Sequence, residues 1–277
     1  MKKYYTFIVL AMATAMIASC KDNNKKAEEA ADATAEVVEA AKTILTDDVL
    51  ATIDDFAIIY LDESNNFDVQ EFITSGLTEK DKMIKPDYLL DPAQTSGLVT
   101  RSQKFAALAI LSSERAIRAA YGMPVEKSTE AIVRLCAELN HPLTHDDISN
   151  LKTSDRIRKF YEVCKERGEL DYFWKLNSAF MAEFLYLMAC NPDPFLNNLT
   201  DEQWASFKKR YDSYLHTVRI LANYDEEIAS VVKIINETNS ISNEEEASGI
   251  FDTKESGMQR ILQAKDKYIA RRNALLE

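Results

Sequence analysis

Histidine, the side chain best suited to proton transfer and metal ligation near neutral pH, occurs three times, as His141, His145 and His216. Glu138-Leu139-Asn140-His141 has the Glu-x-x-His spacing that sets two metal ligands on one helical face in di-iron bundles. Such a site needs the motif twice, and the chain holds no second copy; Pro142 also ends the helix at that point. The same proline breaks the one-turn geometry that would align His141 with His145, and His216 falls off the apolar seam of its segment, which points it to solvent. No nucleophile elbow, phosphate loop, dinucleotide fingerprint or zinc-protease motif occurs. No catalytic residue, cofactor or metal is therefore assigned.

Carboxylates offer the remaining acid–base chemistry. Asp47-Asp48, Asp54-Asp55 and Asp146-Asp147 are adjacent pairs, and neighbours on a helix point in different directions. Glu183 stands apart because it sits inside the most apolar stretch of the chain, Phe173 to Cys190. Burial there would raise its pKa or force it to pair, with Arg115 or Arg118 of the other apolar helix as the expected partners. Trp204, Phe207, Tyr211, Tyr214 and Tyr224 could line a groove for a sugar or an apolar ligand, but their near-heptad spacing is that of a helical core. Cys136, Cys164 and Cys190 form no Cys-x-x-Cys and, being three, allow at most one disulfide; they read as small buried side chains on helices.

These residues need helices to position them. Leu45-Thr46, Leu77-Thr78, Leu143-Thr144 and Leu199-Thr200 each place a capping threonine after an apolar residue. Asp81, Asp147 and Gln203 stand three residues after their threonines, where a capping box closes. Helices are predicted to begin near 46, 79, 98, 126, 145, 154, 201 and 253. They stop at Ser64-Asn65-Asn66, Gly122-Met123-Pro124, Asn140-His141-Pro142, Asn191-Pro192-Asp193-Pro194 and in the polar run 239–249. The clearest runs from Trp204 to Ile235, with residues 154–190 as its antiparallel partner. A stretch as apolar all round as 173–190 belongs in the middle of a bundle; Lys175, Asn177 and Glu183 make it a poor membrane span. With only six glycines and six prolines in 277 residues, a turn-rich β fold is disfavoured. The expected fold is all-α: an irregular antiparallel helical bundle of about seven or eight helices around a buried helix near 173–190.

The first residues read differently. Lys2 and Lys3 precede an uncharged apolar run from Tyr4 to Ala18, which is too short to span a bilayer as a helix of about 20 residues. Ile17-Ala18-Ser19-Cys20 resembles the lipobox of bacterial lipoprotein precursors. The resemblance covers residues 1 to about 26 and implies cleavage between Ser19 and Cys20, with a diacylglyceryl thioether on the Cys20 sulfur and an acylated amine. Two or three acyl chains anchor stably where one does not. Lys21-Asp22-Asn23 partly resembles the export tag of surface lipoproteins of the Bacteroidota, with Asn23 where that pattern prefers an acid. The chain thus divides into a signal peptide (1–19), an acylated cysteine with an Ala-rich charged tether (20–43) and one helical domain (44–277).

At a formal charge of −12, and losing Lys2 and Lys3 with the signal, the chain is repelled by nucleic acid and anionic surfaces. The sequence reads best as a binding or scaffold protein held by its N-terminal lipid in the bacterial envelope, at the outer membrane and facing the periplasm or the surface. Its partner would be an envelope protein, a small apolar ligand or a glycan. Two alternatives are a hydrolase with carboxylates converging around Glu183 and a carrier of an apolar ligand along the 173–190 helix. Cavity size and the surroundings of Glu183 separate them.

Overall fold

Threonine starts four of the helices, as its hydroxyl takes an orphan amide of the first turn. Thr78 closes a box with Asp81 and Thr200 with Gln203, and two further boxes form at Thr100 with Gln103 and Thr253 with Ser256. A computed structural model describes residues 46–64, 69–75, 77–142, 153–239 and 253–276. The signal, Cys20, the tether, His145 and the Thr144–Asp147 cap lie outside these residues, as does most of the polar run 239–249.

The described residues are all-helical. In order they form α1 (Asp47–Glu63), α2 (Val69–Thr74), α3 (Glu79–Lys82), a 310 helix (Pro92–Gly97), α4 (Arg101–Ala120), α5 (Glu126–Glu138) and α6 (Thr153–Glu166). There follow α7 (Leu170–Cys190), α8 (Asp193–Asn198), α9 (Asp201–Leu221), α10 (Glu226–Asn239), α11 (Lys254–Gln263) and α12 (Lys265–Ala274). The expected bundle around a buried helix is what forms, in more segments because long helices break and short turns intervene.

The buried helix is α7. It packs against α2, α4, α6, α9, α10, α11 and α12, most extensively against α4 and α12. All of Leu170–Ala189 is buried except Asp171, Lys175 and Phe180. Phe173 and Trp174 meet at 5.0 Å edge to face, and Tyr60 of α1 stacks its edge on Trp174 at 5.4 Å. The Tyr60 hydroxyl donates to Asn177 Oδ1 (2.7 Å) and accepts from Arg210 of α9 (3.1 Å), which ties three helices at one buried point. None of the described helices is long and apolar enough to cross a membrane.

Two expectations fail for local reasons. The seam from Trp204 to Ile235 is not one helix: α9 ends at Leu221, and Asp225 accepts from the Ile228 amide at 3.0 Å to start α10. Asp225, a polar residue within that apolar run, is thus a cap. Nor is 154–190 one helix or the seam's main partner. Gly168, at φ +68°, ends α6 in the left-handed conformation glycine tolerates, and the Glu169 amide reaches back to the Cys164 carbonyl (2.7 Å). The seam of α9 packs chiefly on α1 instead.

Candidate functional site

Tyr268, Arg271, Arg272 and Leu275 follow one another at helical spacing in and just past α12. Arg271 and Arg272 are adjacent, so their side chains leave the helix about 100° apart. Both are buried, at 6% exposure. They enter two different environments.

Arg272 enters a closed acid cluster. Its Nε donates to Glu183 Oε2 of α7 at 2.9 Å, and its Nη2 makes a short contact with Glu114 of α4. Its guanidinium lies 4.3 Å from the Tyr186 ring centre, and the Tyr186 hydroxyl donates to the Tyr88 carbonyl (2.7 Å). Glu114 also takes the Leu90 amide on both oxygens (3.0 and 2.8 Å) and lies 3.6 Å from Arg118. Arg118 in turn donates to the Leu90 carbonyl. The expected partners of Glu183 are thereby corrected: Arg272 holds it, Arg118 belongs to Glu114, and exposed Arg115 donates to Thr129 (3.0 Å).

Glu183 and Glu114 are 1% and 0% exposed. Burial pushes Glu183 well above the ordinary carboxylate range, Arg272 opposes the rise, and the charge on Glu114 adds to it. Burial raises Glu114 too, against the pull of Arg272, the Leu90 amide and Arg118. The cations do not cancel desolvation here: Arg272 is shared between the two acids, and Arg118 stands 3.6 Å from Glu114. Glu183 Oε1 is buried with no donor among the described residues, and a proton on Glu183 would give that oxygen a hydrogen to donate. For Arg272, the cost of burial is outweighed by Glu183 and Glu114, and its pKa rises. Two acids do converge at Glu183, as a hydrolase would require, but inside the bundle rather than in a cleft.

Arg271 enters a cavity of about 210 Å³ between α4, α7, α10 and α12. Phe105, Ala106, Ala179, Val231 and Leu275 supply apolar walls. Lys175 on the same wall pairs with Asp225 (2.8 Å), Glu227 (2.7 Å) and more loosely Asp171 (3.4 Å). Burial would lower the Lys175 pKa, but the bonds to Asp225 and Glu227 outweigh it and the pKa rises. Glu227 also accepts from Ser102 (2.9 Å), and these bonds overcome burial to hold it below the usual carboxylate range. Arg271 has no acceptor for its side chain among the described residues, and its Nε is fully buried. Its charge offsets part of the burial that pushes Tyr214 up to about 12. A second cavity, about 260 Å³, is lined by Leu90, Gln94, Thr95, Leu98, Asn273 and Leu276, none of them charged.

The other sequence candidates resolve into structure. His141 stacks on Phe160 (5.0 Å), while Glu138 pairs with Lys104 (2.9 Å) and Arg134 (3.4 Å). His216 is exposed and stacks on Phe56 at 4.9 Å. Asp54 binds Tyr161 and Lys165. Trp204, Phe207, Tyr211 and Tyr214 are core, and Tyr224 is half-buried. Cys136, Cys164 and Cys190 are unbridged, and burial pushes the first two up to about 11 and about 12 and raises the third. Such thiols stay protonated and unreactive at neutral pH. Among the described residues, no group of three or more His, Cys, Asp or Glu is arranged to hold a metal.

Sequence reading missed Glu114, Arg271 and Arg272. A signal existed: Ile110, Glu114, Ile117 and Tyr121 keep helical spacing, as do Tyr268, Arg271, Arg272 and Leu275, so each charge interrupts an apolar stripe. Against all this geometry, no protein-family model, curated protein or solved structure matches the chain.

Proposed function

We propose that this chain is a lipid-anchored, non-enzymatic binding protein of the bacterial cell envelope, tethered through Cys20 and presenting a helical domain. The observation that carries the binding half is the contrast at α12. The converging carboxylates are sealed on Arg272, where no substrate reaches them, while the neighbouring Arg271 lines a cavity. This favours ligand or partner binding over hydrolysis. The anchoring half rests on Ile17-Ala18-Ser19-Cys20 and the apolar run before it.

Paired exposed apolar residues, Ile58 with Ile59 on α1 and Met83 with Ile84 after α3, support a scaffold role beside ligand binding. The test of the anchor is metabolic labelling with an alkyne fatty acid. The native chain should be labelled and processed, and Cys20→Ala should be unlabelled and accumulate as precursor, because no thiol remains to receive the diacylglycerol. Normal labelling of Cys20→Ala would remove the envelope assignment.

A further inference from the structure

We propose that the cavity at Arg271 binds a small monocarboxylate with a compact apolar body, its carboxylate on the Arg271 guanidinium and its body against Phe105, Ala106, Ala179 and Val231. This rests on the binding-protein reading above and names its ligand class.

The unbalanced charge comes first. A buried guanidinium is costly without an anion or an equivalent partner, and the molecule's other buried arginines have one. Arg272 has two carboxylates, and Arg118 has Glu114 and the Leu90 carbonyl. Arg210 has the Tyr60 hydroxyl and lies over the rings of Tyr60 (4.7 Å) and Phe184 (5.6 Å). Arg271 is the exception among the described residues, and it lines a cavity.

The other charges on the wall are engaged. Lys175 is held by Asp225, Glu227 and Asp171, and Glu227 by Lys175 and Ser102. An incoming ligand therefore meets Arg271 as the cation without a counter-ion, and a planar guanidinium matches a carboxylate with two parallel hydrogen bonds.

Size and wall chemistry set the rest of the ligand. At about 210 Å³ the cavity exceeds an engineered 150 Å³ apolar cavity that admits benzene. It falls below the roughly 300 Å³ at which pockets for drug-sized ligands begin. Inorganic phosphate would leave the carbon walls uncovered, and a long fatty acid would not fit. An acid of the size of phenylacetate or hexanoate matches both ends.

The experiment is calorimetric titration of phenylacetate and of hexanoate into the full chain in nanodiscs, with empty nanodiscs as blank. Saturable one-to-one binding is expected, with phenylacetamide weaker by about tenfold or more because it lacks the charge. Arg271→Gln should weaken phenylacetate by about tenfold or more without lowering the melting temperature. Ala179→Leu keeps the guanidinium but fills the cavity, and should abolish binding. No saturable heat from either acid, equal affinity for the amide, or native affinity in Arg271→Gln would each overturn the proposal. Should Arg271→Gln fail to fold, native affinity in Ala179→Leu overturns it alone. Loss of the Cys20 assignment would leave this binding result standing, and failure to bind would leave the anchor standing.

Discussion

Arg271 and Arg272 have the same chemistry, the same exposure and adjacent places on α12, yet the fold treats them in opposite ways. Around Arg272 the bundle brings acids from α4 and α7 into contact, and three distant segments are fixed by one guanidinium. Around Arg271 it offers carbon walls and keeps the acid on the cavity wall, Glu227, on Lys175. A closed buried charge network specifies how helices meet; an unbalanced buried charge on a cavity leaves an interaction for something else to complete. In a protein whose perturbed acids invite a catalytic reading, the unbalanced charge on the cavity is the place to look for function.

Breaking the closed half should have the largest effect. Arg272→Met takes the cation from Glu183 and leaves Glu114 only the looser contact with Arg118, and should cost about 3–5 kcal/mol in denaturant unfolding. Glu114→Gln comes next, at roughly 2–3 kcal/mol, because Glu114 also serves Arg118 and the Leu90 amide. Glu183→Gln should cost about 1 kcal/mol or less, since an amide stands in for an acid already pushed toward its protonated form. A larger loss from Glu183→Gln than from Glu114→Gln would reverse the assigned hierarchy.

The pH dependence sharpens the same point. The folded pKa of Glu183 is raised above its ordinary value of 4.5, so its contribution is fully present below that value and is lost as pH rises through the folded one. Glu114 shifts in the same direction. Stability of the native chain should therefore fall as pH climbs above about 4.5, and Glu183→Gln should flatten that fall. Identical slopes for the two proteins would show that Glu183 is ionised in the fold throughout.

Much of this was legible in residue order, and the reasons are local. Threonine caps at 78 and 200 announced their helices because a cap needs only the next three residues. The all-round apolar composition of 173–190 announced the central helix, and Glu183 within it announced a buried acid. Its partner was not legible, because Arg272 lies 89 residues away and Glu114 lies 158 from Arg272. Periodicity shows that a face is buried, not which face it meets. The break at Asp225 was not legible for a related reason: a polar residue in a seam is a cap or a defect depending on whether the chain turns there. Close packing is equally silent. Gly257 looks like a poor helix residue until the Trp204 ring is seen 1.9 Å from where a Cβ would stand.

The most direct test of the contrast is denaturant unfolding of Arg271→Met beside Arg272→Met, without added ligand. Removing a buried guanidinium that has no anion should leave stability unchanged or raise it by about 1–2 kcal/mol, while removing its neighbour should cost about 3–5 kcal/mol. If Arg271→Met loses as much as Arg272→Met, both arginines are structural, and the cavity is not waiting for an anion.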